Sequence, residues 1–179
     1  MKKMILASIL VSVPLFVWLR GSPPPNALLE QSAFSHQQQM SDLQTQLKAD
    51  PNQADLWFQF GHGYLNQQEF TAALTCFDYA MRLSDTPTAS QLSAKASALY
   101  YQNKQQMSAE VKGLLNQSLA LEADNLTALT LLASDHFISF RYQPAIELWT
   151  QILDSQHPDV DRITIIQLLN QAKQMQAGQ

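Results

Sequence analysis

The sequence has few cysteines and glycines and lacks catalytic motifs, and each shortage excludes a class of protein. Cys76 is the only cysteine, so an intrachain disulfide, a paired-cysteine redox motif and the CxxCH motif for covalent haem attachment are all excluded. Only 5 of the 179 residues are glycine, which disfavours a turn-rich β architecture and favours an all-α protein. No phosphate-binding, dinucleotide-binding or nucleophile-elbow motif occurs, and the four histidines lack metal-ligand spacing. We therefore expect no enzyme, no cofactor and no metal site.

Charge is distributed unevenly along the chain. The first 20 residues contain Lys2, Lys3 and Arg20 but no acidic residue, although the whole chain has a formal net charge of -4. Beyond Arg20 the acidic residues therefore outnumber the basic ones. A domain of this kind has no basic surface for a phosphate backbone, so we expect no nucleic acid partner.

The longest uncharged run is residues 4–19, MILASILVSVPLFVWL. As a helix it would span roughly 24 Å, which suits either a short membrane anchor or a signal peptide. Because no small-x-small cleavage site follows, we expect residues 1–20 to be an uncleaved anchor in the bacterial inner membrane. The positive-inside rule then places the remaining chain in the periplasm. Residues 21–26, GSPPPN, are a proline-rich linker.

Residues 54–87 carry aromatic and small residues at spacings typical of two packed helices. Two stripes of residues share helical periodicity: Trp57, Phe60, Gly61 and Tyr64, then Ala73, Phe77 and Ala80. We expect Gly61 and Ala73 to lie where the two helices cross, because only a minimal side chain allows such close approach there. The pattern resembles the tetratricopeptide repeat, a helix-turn-helix unit of about 34 residues.

Two further units and two capping helices complete a predicted all-α solenoid. In residues 89–125 the crossing residues Ala96 and Val111 are 15 apart, whereas Gly61 and Ala73 are 12 apart, which predicts a loop extended by three residues. The capping helices are predicted at residues 27–50 and 160–176, because a short solenoid must cover its terminal apolar faces.

The third unit, residues 126–159, restores the spacing of 12 between Ala133 and Ala145. His136 takes the place that Tyr64 has in the first unit. Pro144 is tolerated only in the first turn of a helix, so the second helix of this unit should begin near residues 141–143.

Stacked helix pairs are expected to form a concave groove lined by the first helix of each pair. Twelve residues flank the packing stripe and are predicted to present to this groove: Phe58, His62, Leu65, Asn66, Ser93, Ser97, Tyr100, Tyr101, Thr130, Ser134, Phe137 and Ile138. For Tyr100 and Phe137, packing in the core is an equally good interpretation. Since the set lacks basic residues that clamp carboxylates, it favours an amphipathic helix or an apolar C-terminal peptide as the ligand.

The stretch ALYYQNKQQMSAEVKGLLNQSLALEADNLTALTLLASDHF, followed by YQPAIELWTQILD, resembles the membrane-anchored repeat subunit of bacterial cytochrome c haem-lyase systems. It is similar in particular to the version that serves formate-dependent nitrite reductase. The resemblance covers residues 42–174 and includes the extended Tyr-Tyr-Gln loop. It implies a non-enzymatic subunit that binds the C-terminal peptide of an apocytochrome c, with multihaem nitrite reductase as the expected client, and presents it to membrane haem lyase subunits. The alternative is a membrane-tethered scaffold for another envelope complex, such as a pilus or secretion machine.

Overall fold

The computed structural model describes the backbone of residues 27–178 and the side chains of residues 35–178, and all regular structure in these residues is helical. The predicted anchor and linker lie outside the described residues. Within them the chain forms eight helices and no strand, so the all-α prediction is confirmed: α1 Ala27–Ala49, α2 Ala54–Asn66, α3 Phe70–Leu83, α4 Ala89–Gln102, α5 Ala109–Leu121, α6 Leu126–Ile138, α7 Tyr142–Asp154 and α8 Arg162–Ala177. None of these eight helices is long and apolar enough to span a membrane.

Helices α2 to α7 form three consecutive antiparallel pairs, and α8 packs on α7. Residues 27–41 belong to a different compact unit from residues 42–178, and the three pairs lie entirely in the second unit.

Among the described residues, three hydrophobic clusters of this second unit each extend from one helix pair into the helix that follows it. Ala73 and Phe77 of α3 pack with Ala94 and Ala98 of α4. A second cluster joins α4 and α5 to α6, and a third joins α6 and α7 to α8. Each pair therefore buries its apolar face against the following helix, which is how repeat solenoids acquire a continuous core.

The close approach expected at Gly61 is present between α2 and α3. A Cβ atom added at Gly61 would lie 2.5 Å from Cε1 of Phe77 and 3.2 Å from Cβ of Cys76. Ala73 and Phe77 are fully buried. The absence of a side chain at position 61 thus allows α2 to lie directly on α3.

The first helix of every pair ends in the same backbone turn, and this turn fixes the register of the repeats. The N–H groups of Glu69, Gln105 and Arg141 each donate, at 2.9 Å, to carbonyls five residues earlier: those of Tyr64, Tyr100 and His136. The preceding residues Gln68, Lys104 and Phe140 have positive φ angles of 62°, 55° and 61°, as expected for a Schellman motif. Tyr64, Tyr100 and His136 are therefore equivalent, which confirms that His136 takes the position of Tyr64.

This register corrects one prediction. Since Tyr100 is the equivalent of Tyr64, the residue equivalent to Gly61 is Ser97, and the prediction that Ala96 fills this position was wrong by one residue. The spacing was ambiguous because α4 is buried on nearly all sides and is rich in small residues. Ala94, Ala96 and Ala98 are all at most 1% exposed, so sequence periodicity does not distinguish one face of α4 from another.

The predicted loop extension is confirmed, but the corrected register changes its length. Ala73 follows Tyr64 by nine positions and Val111 follows Tyr100 by eleven, and both are fully buried, so two residues are inserted before the buried position of the second helix. The N-cap residues Glu69 and Ser108 follow the same tyrosines by five and eight positions, because the second helix of this repeat begins one residue later relative to its buried face. The extended loop, residues 103–108, has positive φ at both Lys104 and Gln105, and it ends where the Ser108 hydroxyl accepts a hydrogen bond from the Val111 N–H.

Single residues define three local features of the helices. Helix α7 begins at Tyr142, so Pro144 lies in its first turn as predicted. Asp161 caps α8 by accepting a hydrogen bond from the Thr164 N–H. Lys95 of α4 directs its amine to Asp78 of α3 at 2.6 Å.

Candidate peptide-binding surface

The twelve predicted groove residues differ widely in exposure. Three are exposed: Asn66, Tyr101 and Ile138. Six are partly buried: Phe58, His62, Leu65, Thr130, Ser134 and Phe137. Three are buried: Ser93, Ser97 and Tyr100. The exposed members all lie at the C-terminal ends of their helices, so the accessible part of the predicted groove is concentrated near the turns.

The three buried residues belong to the packing of α4 and do not face a surface in this structure. The hydroxyl of Ser93 donates to the carbonyl of Ser90 and that of Ser97 to the carbonyl of Ser93. Tyr100 is only 2% exposed and donates to Asp135. The one-residue register error explains the selection of Tyr100, since the residue equivalent to Leu65 of the first repeat is Tyr101. It does not explain Ser93 and Ser97, whose corrected equivalents Ala94 and Ala98 are also buried.

Several of the partly buried aromatic residues also serve the core. The ring centroid of Phe58 lies 4.6 Å from that of His62 and 5.7 Å from that of Phe77. Burial lowers the pKa of His62, which keeps its imidazole neutral near pH 7. Phe137 packs 5.5 Å from Trp149. For Phe137, the core-packing interpretation accounts for these contacts.

A pocket of about 370 Å³ opens between the first and second repeats. We call it the amide–aromatic pocket, and its lining residues are Leu65, Asn66, Gln68, Phe70, Tyr101 and Gln105. Phe70 and Tyr101 stack with their centroids 5.8 Å apart and their planes 19° apart. The stacked rings offer an apolar wall, whereas the three carboxamides can donate to and accept from a peptide backbone. The pocket contains no charged side chain.

A second pocket, of about 470 Å³, opens between the second and third repeats. We call it the polar pocket, and it is lined by Gln105, Gln106, Met107, Lys112, Leu132, Asp135, His136, Ser139 and Arg141. The residues from 105 to 107 come from the extended loop. Gln105 lines both pockets, so the two are adjacent along the edge formed by the turns.

A hydrogen-bond network links the second and third repeats at the polar pocket. Buried Asp135 accepts from the Tyr100 hydroxyl at 3.2 Å and from Nη2 of Arg141 at 2.7 Å. Nε of Arg141 donates to Nδ1 of His136 at 2.8 Å. Burial and then the Arg141 guanidinium lower the pKa of His136, consistent with a neutral imidazole that accepts this bond. Burial raises the pKa of Tyr100, and Asp135 raises it further, so the phenol remains a donor.

Sequence reasoning did not select Lys112 or Arg141 for the surface. Both lie outside the first helix of a repeat, and they line the same pocket only because the second and third repeats stack. The extended loop was detectable from spacing, but its position between two pockets was not. Among the described residues, no group of three or more His, Cys, Asp or Glu side chains is arranged to hold a metal ion.

The stacked helix pairs and their repeated turns define a tetratricopeptide-repeat protein. The crystal structure of MamA protein shares this fold, with a TM-score of 0.58 and 18% identity over 83% of this chain and 77% of that one. Residues 27–163 match the family described as the cytochrome c-type biogenesis protein H TPR domain. The chain belongs to this family.

Two relatives carry names that refer to nitrite reductase. The formate-dependent nitrite reductase complex subunit NrfG of Escherichia coli O157:H7 is 35% identical over 138 residues, 77% of this chain and 69% of that protein. The bifunctional subunit NrfFG of Haemophilus influenzae is 38% identical over 137 residues, 76% of this chain but only 35% of that protein. The matched region of NrfFG is therefore about a third of its length.

Proposed function

We propose that this chain is a non-catalytic peptide-binding subunit of cytochrome c maturation. It holds the C-terminal segment of an apocytochrome c, with multihaem nitrite reductase as the first client to test, while membrane haem lyase subunits act on that client. The family and the two nitrite reductase relatives support this role. The proposal also places the repeat domain in the periplasm, tethered to the inner membrane through residues 4–19.

The amide–aromatic pocket is the observation that carries the proposal. An unfolded client presents backbone N–H and C=O groups that must keep hydrogen-bond partners when they leave water. Asn66, Gln68 and Gln105 supply such partners at the rim. The wall formed by Phe70 and Tyr101 can cover one apolar or aromatic side chain of the client, and a buried aromatic anchor of this kind often dominates the binding energy of an interface.

Titration calorimetry with synthetic C-terminal peptides of the host's c-type apocytochromes tests the proposal on the full-length chain. Replacing Tyr101 with alanine should weaken binding by at least about tenfold, since it removes half of the aromatic wall. Tyr79→Ala is the matched control. Tyr79 and Tyr101 are both 41% exposed, and Tyr79 also stacks on a neighbouring ring, that of Trp57, at 4.7 Å.

The two outcomes that contradict the proposal are distinct. If no C-terminal peptide of any host apocytochrome binds the unmodified chain, the assigned client class is wrong. If Tyr79→Ala weakens binding as much as Tyr101→Ala, the peptide does not occupy the amide–aromatic pocket. Circular dichroism of both variants checks that the helices are retained.

A further inference from the structure

The polar pocket has two basic side chains, Lys112 and Arg141, which differ in the number of ion pairs and hydrogen bonds that they form within the protein. Lys112 is exposed and forms no ion pair with any residue from 35 to 178. Arg141 has five N–H donors, and its bonds to Asp135 and His136 use two of them. The guanidinium side chain is 48% exposed, so its remaining donors are available to a ligand.

The charge balance of this pocket favours an anion. Its lining contains the cations Lys112 and Arg141 and one acid, Asp135, which is buried and already accepts hydrogen bonds from two partners. Neutral His136 adds no charge. The pocket is thus formally positive in a chain whose net charge is -4. A local positive site on an acidic protein is a place where a small anion is stabilised both by Coulomb attraction and by charge-assisted hydrogen bonds.

The other lining residues fit the end of a peptide chain. Ser139, Gln105 and Gln106 can bond to a last peptide group, and Met107 and Leu132 provide apolar contacts for a last side chain. Gln105 also borders the amide–aromatic pocket, so a single extended peptide can occupy both pockets across the loop. The loop extension is what brings Gln106 and Met107 to this place.

We infer that the polar pocket binds the terminal carboxylate of the client peptide, with Lys112 and Arg141 as its charged donors. This inference rests on the proposed function, because it requires a bound peptide, and it assigns the direction of that peptide. The chain terminus lies between the second and third repeats, and the preceding residues lie in the amide–aromatic pocket. The sequence predicted a groove without basic residues because only the first helix of each repeat was considered. Lys112 and Arg141 lie outside those helices and were therefore not included.

Calorimetry with one peptide in two forms, with a free and with an amidated C-terminus, tests the inference on the full-length chain. Amidation should raise the Kd about tenfold for the unmodified chain, which is the effect of losing a charge-assisted contact. In Lys112→Ala the free-acid peptide should bind more weakly, and amidation should have a much smaller effect. Lys173→Ala, which removes an exposed lysine from α8, should behave like the unmodified chain.

Arg141→Lys is the second variant, since removal of the cation would leave Asp135 buried without its charge partner. It keeps the charge but loses the planar fork, and it should also reduce the preference for the free acid. Equal affinity for the free and amidated peptides would overturn the carboxylate assignment while leaving the proposed function intact. Equal weakening of both peptides by Lys112→Ala would also overturn it. Failure of both peptides to bind would overturn the inference and the proposed function together.

Discussion

Replacing Gly61 with alanine should destabilise the fold, although alanine is the better helix former. The added Cβ would lie 2.5 Å and 2.7 Å from two ring atoms of Phe77, whereas carbon atoms in favourable contact are about 3.5–4.0 Å apart. The ring must therefore move by about an ångström. Phe77 is fully buried, and its ring contacts both Phe58 and His62, so the movement displaces a whole aromatic group.

Two opposing terms set the size of the effect. Overpacking of a well-filled core costs about 1–3 kcal/mol, and the change from glycine to alanine inside a helix recovers about 1 kcal/mol. The net expectation for Gly61→Ala is a loss of up to about 2 kcal/mol. Gly113→Ala in α5 is the matched control, because nothing lies within 4 Å of the added Cβ there. It should stabilise the protein by about 0.5–1 kcal/mol.

Urea denaturation followed by far-ultraviolet circular dichroism measures both variants against the unmodified chain. The expected result is a lower midpoint for Gly61→Ala and a higher midpoint for Gly113→Ala, with unchanged slopes. A rise in stability for both variants would refute the reasoning, since it would mean that α2 and α3 do not approach closely enough at Gly61 to exclude a methyl group.

Two further predictions concern buried polar groups. Tyr100→Phe should cost about 1–2 kcal/mol in urea denaturation, because Asp135 loses one of its hydrogen-bond donors inside the core; Tyr101→Phe, at an exposed phenol, is the control and should be neutral. Stability should also fall as the pH drops from about 7 to 5, because burial lowers the pKa of His62 in the folded state. Above the unfolded-state pKa of about 6.5 the imidazole is neutral in both states. Below it the unfolded state binds a proton more readily than the folded state, so the unfolded state is favoured as the pH falls. His62→Gln should reduce this slope, while His136 retains its own share; an unchanged slope would contradict the assignment.

The fold was predictable where a residue type is needed for a single structural purpose. Gly61 marks the point where two helices cross, and Tyr64, three residues later, marks the end of the first helix. In α4 the same method failed by one residue, since Ala94, Ala96 and Ala98 are all buried and small residues surround the helix. Periodicity identifies a face only when another face is exposed to water.

The candidate site was less predictable because it depends on contacts between repeats. Tyr101 is among the predicted groove residues and is exposed, but its stacking partner Phe70 belongs to the previous repeat. Lys112 and Arg141 lie 29 positions apart and share no motif. Their proximity follows from how the third repeat packs on the second, which no local pattern encodes.

The second repeat, whose sequence is the least regular, contributes to both pockets, and its extended loop supplies part of that lining. In the first and third repeats the turn leads at once into the next helix, at Phe70 and Tyr142. In the second repeat the chain continues to Ser108, and Gln105 reaches both pockets. Gln105 belongs to the turn that all three repeats share, whereas Gln106 and Met107 come from the extension and line the polar pocket beside it. The extension therefore adds pocket-lining side chains, while the shared turns keep the repeats in register.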